Sequence, residues 1–448
     1  MGLSGLQIYK LLPKTNCKEC GYPTCLAFAL KLAAKQAELS ACPHVTEEAK
    51  EQLAAAAAPP IRLVTIGGDE KKIAVGNETV LFRHEKTFFH QPGLFVRIRD
   101  TQPEAEFARC VEAVQGYSVE RVGMTLTFDG IAIENASGEA AAFADCVSAV
   151  RKVTDLPLIL MSSSAAAVEA ALEQTGESVP LIYAADADNH KEMAAVALKH
   201  GAPLAIRTTG DLSDLASLVK EVQDTGVKDI VLDPGTRGAA DSLAALTQLR
   251  RLALKKNFRL LGFPVITFPG EGADSAEEEA LLAAQHIAKY AGFIVLDHFI
   301  PAAAYPLLTL RQNVYTDPQK PIQVSPGLYE INDPTPESPL LVTTNFSLTY
   351  FSVAGEVENS ALPAWLLIAD AEGMSVLTAW AAGKFDAERI AKSVNTMGVL
   401  DKVGHKKIVI PGFVATISGD LEEELPGWDI LVGPREAIDI TAYLKQWA

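Results

Sequence analysis

The middle of the chain alternates between two patterns of apolar residues. Between residues 93 and 311, short apolar runs, which predict buried strands, are followed by longer segments with apolar residues at every third or fourth position, which predict amphipathic helices. Eight such units in about 220 residues match the size of a (β/α)8 TIM barrel, and a doubly wound open sheet is the alternative. The predicted strands are 94–98, 130–134, 156–160, 180–184, 203–207, 229–233, 263–267 and 292–297.

The segments before the barrel predict a small helical region and a β layer. Residues 1–58 show helical apolar spacing in GLQIYKLL and a run of helix formers in TEEAKEQLAAAAA, and Pro59-Pro60 ends this region. Residues 59–92 contain IRLVTIGG, KKIAVG and TVLFRH, short apolar runs separated by glycine turns. This pattern predicts a β-hairpin layer that links the helical region to the barrel.

A change of pattern also follows the barrel. Residues 312–338 are rich in proline and show no clear period, which predicts an extended, semi-rigid linker. Residues 339–448 contain four more strand–helix units, with PLLVT, AWLLIAD, KKIVIPG and WDILVGP as the strands. They predict a separate, Rossmann-like α/β domain.

Composition and charge narrow the possible partners. The chain has 448 residues and a formal net charge of −17, which disfavours binding to nucleic acid or to anionic lipid. It has no apolar stretch of the roughly 20 residues that a membrane helix needs, and its start lacks the features of a signal peptide. We therefore expect a cytoplasmic protein with reduced thiols and no disulfide framework.

Four of the six cysteines lie close together near the start of the chain. Cys17, Cys20, Cys25 and Cys42 are spaced C-x2-C-x4-C-x16-C, and a proline follows the last one. Zinc sites with four thiolates usually consist of two separated pairs, whereas three cysteines on one loop plus a distant fourth are typical of iron–sulfur ligation. The pattern favours a [4Fe-4S] cluster over zinc or unligated thiols. Cys110 and Cys146 fall on apolar faces of predicted helices, which favours buried packing.

The C-terminal domain offers candidate binding loops. Ligands of doubly wound sheets bind beyond the carboxyl ends of the strands, and here those ends continue into TTNFSLTY, ADAEGMSVLTA, PGFVATISGD and VGPREA. The loops are rich in Gly, Ser and Thr, and the absence of GxGxxG disfavours a nicotinamide dinucleotide. Ordinary helix caps and turns are the alternative explanation of the same residues.

Taken together, NCKECGYPTC with its distant Cys-Pro, the barrel, and a terminal domain with TTNFSLT, DAEGMSVLTA and VGPREA resemble the large (gamma) subunit of the corrinoid iron–sulfur protein of the reductive acetyl-CoA (Wood–Ljungdahl) pathway. The resemblance covers the whole chain. It implies a cluster module at 1–58 and a cobalamin-type corrinoid bound by 339–448. The implied corrinoid contacts are Leu340, Thr343, Thr344, Asn345, Phe346, Asp370, Ala371, Glu372, Gly373, Ser375, Thr378, Gly412, Gly433 and Pro434.

The resemblance also implies a function as a methyl-group carrier in a multi-enzyme system. Corrinoid Co(I) would accept a methyl group from methyltetrahydrofolate through a separate methyltransferase and then donate it to acetyl-CoA synthase/CO dehydrogenase. The [4Fe-4S] cluster would return cobalt that has been oxidised to Co(II) to the active state, with electrons from a ferredoxin-type donor. The implied permanent partner is the small subunit of the corrinoid iron–sulfur protein, in a heterodimer.

One departure from a common B12-binding pattern bears on the cobalt. Many B12 domains provide a histidine in a D-x-H-x-x-G loop, but here the corresponding residues are Asp370-Ala371-Glu372-Gly373. The only histidine after residue 313 is His405, which precedes a predicted strand and lies outside the candidate loops. We therefore expect a base-off corrinoid with no protein axial ligand.

Other interpretations remain open at this level. The chain is alternatively an iron–sulfur electron-transfer subunit that binds a flavin or nucleotide, or a scaffold protein with a zinc module. Asp186, Asp188, Asp233 and Asp297 follow predicted barrel strands, where barrel enzymes carry catalytic groups. A folate site is conceivable there, but such carboxylates often only cap helices, and a scaffold role for the barrel is favoured.

Overall fold

The computed structural model describes residues 5–33, 37, 39–46, 49–50, 53, 59–69, 71–122, 124–317 and 322–447. At the start, helices α1 (Gly5–Leu11) and α2 (Cys25–Ala33) pack on each other around Phe28 and Ala29. The helix predicted in TEEAKEQLAAAAA lies largely outside the described residues.

The central region is a barrel of eight parallel strands. The strands are β3 (Gly93–Arg99), β6 (Gly130–Glu134), β7 (Leu158–Met161), β8 (Leu181–Ala185), β9 (Leu204–Arg207), β10 (Ile230–Asp233), β11 (Ile266–Thr267) and β12 (Phe293–Leu296). Their order around the barrel is β10-β9-β8-β7-β6-β3-β12-β11, and a bridge between Leu232 and Val265 joins β10 to β11 and brings the sheet close to full closure. The TIM barrel prediction is confirmed, and the open-sheet alternative is wrong for this region.

Helices surround the barrel because alternate strand residues need apolar cover on the outside. Leu94, Val96 and Ile98 of β3 pack outward against the helices, whereas Phe95 and Ala132 fill the interior. The helices are α3 (Glu104–Gly116), α4 (Ala140–Val153), α5 (Ala165–Leu172), α6 (His190–His200), α7 (Leu212–Asp224), α8 (Ala239–Lys255), α9 (Ala276–Ala288) and α10 (Pro301–Val314).

A hairpin closes the amino-terminal end of the barrel. Strands β1 (Val64–Gly67) and β2 (Lys72–Val75) pair antiparallel, and Val64 and Ile66 pack with Phe95 and Leu181 of the interior. TVLFRH was expected to be a further strand but forms turns. The buried Glu78 carboxylate explains the difference, because it accepts hydrogen bonds from the backbone N–H groups of residues 89 and 90 and folds this segment back on itself.

The barrel carries a second hairpin that the apolar pattern did not predict. Strands β4 (Ser118–Arg121) and β5 (Met124–Thr127) pair antiparallel after α3. At the tip, Val122 has a φ of 56° and is buried in a core that belongs to the C-terminal sheet. The hairpin is therefore a direct contact between the two regions.

The C-terminal region is an open five-stranded sheet. Only β13 (Gly327–Ile331) is antiparallel, and β14 (Leu340–Thr344), β15 (Ala364–Ala369), β16 (Lys407–Ile410) and β17 (Asp429–Val432) are parallel. The strand order is β13-β15-β14-β16-β17. Each face of the sheet has its own apolar core. The helices are α11 (Ser347–Ser360), α12 (Val376–Ala381), α13 (Ala387–Thr396), α14 (Val399–Lys402), α15 (Ser418–Glu424) and α16 (Ile440–Leu444).

The segment expected to be a linker, 312–338, is not structureless. Its first residues complete α10, and Gly327–Ile331 form strand β13 on β15. An edge strand with a free side tolerates the surrounding prolines, which is why composition alone suggested a linker. Within the described part of the chain, no helix has the length and apolar character needed to cross a membrane.

Candidate cofactor sites

A cleft opens in the C-terminal sheet where the direction of strand addition reverses. The chain runs from β14 outward to β15, and then returns to add β16 and β17 on the other side. β14 and β16 pair at only one position, Leu341 with Val409, so the two strands part beyond it. A cavity of about 380 Å³ lies there, between strand residues and helix α11. This is the position at which open α/β sheets bind ligands.

The cavity contains a buried hydroxyl without a hydrogen-bond partner. Thr343 is 1% exposed and lines the cavity, and its Oγ1 has no partner among the described residues. Buried polar atoms in native proteins are nearly always paired. A residue of the cavity wall with an orphaned hydroxyl is therefore a candidate contact for a polar ligand group.

Two glycines shape one wall of the cleft. The Gly412 N–H donates to the Pro434 carbonyl (3.0 Å), and the Gly433 N–H donates to the Ile410 carbonyl (2.9 Å). A Cβ on Gly412 would lie 2.5 Å from the Gly433 carbonyl oxygen, so a side chain there would push the two loops apart. Gly412 is buried in this contact, while Gly433 and Pro434 line the cavity.

Asn345 holds the loop after β15 in place. It is 1% exposed, and its Oδ1 accepts hydrogen bonds from the N–H groups of Ala371 (3.0 Å) and Gly373 (2.9 Å). Its Nδ2 donates to Oδ1 of Asp370 (3.1 Å). Asn345 is therefore a connector between two strand-end loops, and its side chain is fully used within the protein.

The same loop has a strained backbone and a charged tip. Glu372 and Gly373 have φ values of 54° and 73°, and the Glu372 carboxylate pairs with Lys384 Nζ at 2.6 Å. A Cβ on Gly373 would lie 2.7 Å from the Gln323 side chain, which packs under the loop. Gln323 carried no sequence signal, because it lies in the proline-rich segment far from the loops.

The remaining candidate contacts divide by position. Thr343, Ser375, Gly433 and Pro434 line the cavity. Leu340 is fully buried in the apolar core on one face of the sheet and does not line the cavity, and its contact with the corrinoid stays a prediction. Outside the cavity lining lie Thr344, Asn345, Phe346, Asp370, Ala371, Glu372, Gly373, Thr378 and Gly412.

Several cavity residues escaped the sequence analysis. Leu348 and Ser352 come from α11, and Phe413 from the turn after β16. Helix residues spaced one turn apart are ordinary on a surface helix, so no local signal marked them. The exposed state of Leu348 and Phe413 in the structure is the feature that distinguishes them.

His405 lies at the opposite end of the sheet from the cleft. Its Nδ1 accepts from the Lys407 N–H (3.1 Å), so its Nε2 donates to the Ser338 carbonyl (2.9 Å). Ser338 precedes β14 and His405 precedes β16, whereas the cavity lies at the carboxyl ends of these strands. Neither ring nitrogen is available to a ligand in the cleft.

The four N-terminal cysteines are free thiols in one small module. Cys25 begins α2 and Cys42 follows a short 3-10 turn, and both are buried in the core of the module, with Cys20 packed against it. Cys17 is exposed on the loop between the helices. A donor set of four thiols with one on the surface fits a metal centre that exchanges electrons with a partner.

Cys17 also lies beside two other metal-binding side chains. The ligand atoms of Cys17, Glu19 and His44 are all within 4.8 Å of one another, and Nε2 of His44 is 3.0 Å from Oε2 of Glu19. Ligands of one ion converge in this way, whereas thiolates of a four-iron cluster bind different irons and lie farther apart. The Glu19–His44 contact brings the Cys17 loop next to the segment that carries Cys42.

The carboxyl ends of the barrel strands carry a different arrangement, in which charges pair with one another. Arg97 donates to both oxygens of Asp297 (2.7 Å each) and to Glu271 (2.8 Å). Arg237 donates to both oxygens of the fully buried Asp233 (3.0 and 2.9 Å). Burial alone would lower the pKa of Arg97, but the hydrogen bonds and charge of Asp297 outweigh it and raise the pKa.

Asp186 and Asp188, the other two barrel carboxylates considered above, belong to a turn that precedes α6. Asp186 Oδ1 accepts from the N–H groups of Asp188 (3.0 Å) and Asn189 (3.2 Å) just before α6, and Asp188 is exposed. Tyr183 donates to Asp233 (2.7 Å), and burial together with this carboxylate raises the pKa of Tyr183. These contacts fit turn formation and packing, not an open folate pocket.

Comparison with known proteins gives matches over the full chain. A family model for the CO dehydrogenase/acetyl-CoA synthase delta subunit matches residues 63–444, and an Fe-S cluster model matches residues 12–44. The corrinoid/iron–sulfur protein large subunit of Moorella thermoacetica is 44% identical, covering 99% of both chains. The acetyl-CoA decarbonylase/synthase complex subunit gamma of Methanopyrus kandleri is 38% identical, covering 99% of this chain and 98% of that protein.

Solved structures are more distant. The 7,8-dihydropteroate synthase of Vibrio fischeri ES114 is 13% identical with a TM-score of 0.40, covering 56% of this chain and 97% of that one. A similarity of this size does not bear on function. The full-length sequence matches confirm the resemblance, and the chain belongs to the CO dehydrogenase/acetyl-CoA synthase delta subunit family, with corrinoid/iron–sulfur protein large subunits and acetyl-CoA decarbonylase/synthase gamma subunits as its full-length relatives.

Proposed function

We propose that this chain is a methyl-group carrier of acetyl-CoA synthesis, with a base-off corrinoid in the C-terminal cleft and a [4Fe-4S] cluster on the N-terminal module. When bound, the corrinoid supplies the nucleophilic cobalt on which a methyl group is carried, and the cluster supplies single electrons that restore it. The single observation that carries the proposal is the cleft at the strand reversal, with the orphaned Thr343 hydroxyl inside it.

The cleft supplies residues that would hold a corrinoid. The cavity lies beyond the parallel strands β14 and β16, between the loop that carries Gly433 and helix α11. Thr343, with Ser375, Gly433 and Pro434, would hold part of the corrinoid here, and the Thr343 hydroxyl would offer it a hydrogen bond. The loop held by Asn345 would then lie beneath the ring.

The positions of the histidines support a cobalt without a protein ligand. The Asp370–Gly373 loop has no imidazole, and His405 is bonded at the far end of the sheet. A corrinoid held by these loops would receive no imidazole donor from them, which would favour reduction of its cobalt. Glu372, at the tip of this loop, pairs with Lys384, so its charge is compensated within the protein.

At the other end of the chain, Cys17, Cys20, Cys25 and Cys42 would hold the cluster. The apolar core around Cys25 and Cys42 shields it from water on one side, and exposed Cys17 gives an edge for electron entry. The barrel serves as a scaffold between the two sites, because its strand-end charges satisfy one another.

Apolar side chains around the cavity mouth support coverage by a partner. Leu348, Leu377 and Phe413 line the cavity and are 65%, 45% and 42% exposed. Exposed apolar patches of this kind mark interaction sites. In this proposal, a small subunit, a methyltetrahydrofolate methyltransferase and acetyl-CoA synthase/CO dehydrogenase approach here, and a ferredoxin-type donor approaches the cluster. All of these belong in the cytoplasm.

The ultraviolet–visible spectrum of anaerobically purified protein, combined with cobalt and iron analysis, tests the proposal. The expected result is corrinoid bands that change with reduction, together with iron and sulfide for one four-iron cluster. Flavin bands, or a colourless zinc protein, would contradict it.

A Cys20→Ala variant then separates the two cofactor roles. Methyl transfer from protein reduced beforehand is expected to survive, and reactivation by an electron donor is expected to fail. Loss of both activities in folded, corrinoid-loaded protein would show that the cluster is needed for structure instead.

A further inference from the structure

Asn16, the residue before the first cysteine, is bonded to the third cysteine in both directions. Its Oδ1 accepts a hydrogen bond from the Cys25 N–H (2.8 Å). Its own N–H points at the Cys25 Sγ (3.4 Å). Residues nine positions apart are thereby joined, and the loop that carries Cys17 and Cys20 is closed at its base.

The Cys25 N–H needs such a partner because it begins a helix. The first N–H groups of an α-helix have no acceptor within the helix. At the start of α2, Thr24 Oγ1 accepts a hydrogen bond from the Ala27 N–H (3.1 Å). The Thr24 hydroxyl therefore caps a later N–H group of the helix than that of Cys25. The Asn16 side chain provides the acceptor for the Cys25 N–H, and it reaches across the cysteine loop to do so.

The backbone at Asn16 is also unusual. Lys14, Asn16 and Lys18 have φ values of 60°, 50° and 68°, and they alternate with residues of negative φ. Among non-glycine residues, Asn is one of the few that adopt this region readily. Asn therefore suits this turn of the backbone, which leads directly into Cys17.

We infer that Asn16 is a positioning residue for the iron–sulfur cluster: its side chain closes the cysteine loop and thereby holds a backbone N–H against the Cys25 thiolate. This inference rests on the proposed function. A hydrogen bond to a ligating sulfur reduces the charge on it and raises the reduction potential of the cluster. Asn16 therefore acts on the cluster through Cys25 without ligating iron.

The test compares Asn16→Gly, Asn16→Asp and wild type in the full-length protein. Asn16→Gly keeps the positive φ but removes the side chain. It is expected to lose iron to a chelator about tenfold faster, the size typical of outer-shell substitutions at metal sites. An EPR-monitored redox titration is expected to show a more negative midpoint potential, because the N–H is no longer held at the sulfur.

Asn16→Asp keeps the acceptor for Cys25 and adds a negative charge. It is expected to retain iron at close to the wild-type rate while its midpoint potential falls. The matched control is Asn257→Gly, since Asn257 is exposed, has a φ of 50° and lies after α8 on the barrel. This control is expected to change neither quantity.

The outcomes separate the inference from the proposed function. Wild-type protein that binds no iron–sulfur cluster overturns both. A wild-type cluster with iron loss and potential unchanged in Asn16→Gly overturns the role of Asn16 alone. Faster iron loss in Asn16→Asp equal to that in Asn16→Gly would also overturn it, since the retained acceptor then has no effect.

Discussion

The carboxyl ends of the parallel strands are built in two opposite ways in this molecule. In the barrel, Arg97, Asp297, Arg237 and Asp233 pair with one another and leave little to bind a ligand. In the C-terminal sheet, the corresponding edge has a cavity, glycine walls and the orphaned hydroxyl of Thr343. Equivalent positions in two α/β regions thus differ in whether polar groups are satisfied within the protein.

This contrast teaches how to separate a scaffold from a binding site when both use the same architecture. Carboxylates at barrel strand ends are the expected place for catalysis, yet here their charges are compensated at short range. The C-terminal cleft has few charged groups but leaves hydrogen-bonding capacity unused. Unused capacity in a cavity is the better indicator of a ligand.

The largest effect is expected from breaking the barrel network. Asp233→Ala leaves Arg237 without its bidentate partner and Tyr183 without its acceptor. Loss of one partner of a buried ion pair costs about 3–5 kcal/mol in the free energy of unfolding, measurable by urea denaturation. Corrinoid content of the folded fraction is expected to stay unchanged, and a fall in it would give the barrel a binding role. The exposed Asp188→Ala is the control, with a change within about 0.5 kcal/mol.

A smaller effect is expected at the loop connector in the C-terminal sheet. Asn345→Ala leaves the N–H groups of Ala371 and Gly373 buried without acceptors. The expected loss of unfolding free energy is about 2 kcal/mol, accompanied by lower corrinoid retention on gel filtration. Wild-type stability in this variant would mean that water replaces the lost amide.

A matched pair of substitutions sharpens the contrast at the cavity. Thr343→Val and Thr344→Val each remove a buried hydroxyl that has no partner in the described structure, so neither is expected to lower stability. Only Thr343 lines the cavity, and its variant is expected to bind corrinoid about fivefold more weakly, the equivalent of one hydrogen bond of about 1 kcal/mol. Equal weakening in both variants would mean that the cavity is not where the hydroxyls act.

The smallest effect at neutral pH concerns His286 in α9. Burial, and secondarily the charge of Arg237, lower the pKa of His286 to about 4. The unfolded state therefore binds more protons than the folded state between about pH 6.5 and 4, so stability is complete above this window and falls as the pH is lowered through it. His286→Leu is expected to flatten this dependence in acid denaturation while leaving the stability at pH 7.5 nearly unchanged. A slope identical to that of wild type would assign the acid sensitivity to other groups.

Much of the fold follows from local pattern because parallel strands buried on both faces are continuous apolar runs. GIAIE and the other barrel strands stand out for this reason, as do the four strands of the C-terminal sheet. Strand β13 and the β4–β5 hairpin do not, because edge strands and short hairpins expose polar side chains. Their existence depends on contacts with regions distant in sequence.

The residues of the candidate sites likewise divide into those that follow from local sequence and those that depend on tertiary packing. The cysteine pattern and the strand-end loops follow from the sequence, since chemistry and strand order fix where they fall. Whether Leu340 lies on the cavity side of its strand could not be predicted, because a shift of one residue moves a strand side chain to the other face. Gln323 and Leu348 are brought to the cleft only by tertiary packing, so no spacing rule could identify them.

The tip of the β4–β5 hairpin helps to hold the C-terminal region against the barrel. Val122 is 4% exposed and packs with Val324 and Ile331 of the C-terminal region. Withdrawing such a side chain into water costs about 1.5–3 kcal/mol. Any partner that turns the C-terminal region away from this tip would have to supply that free energy through tighter binding to the new arrangement.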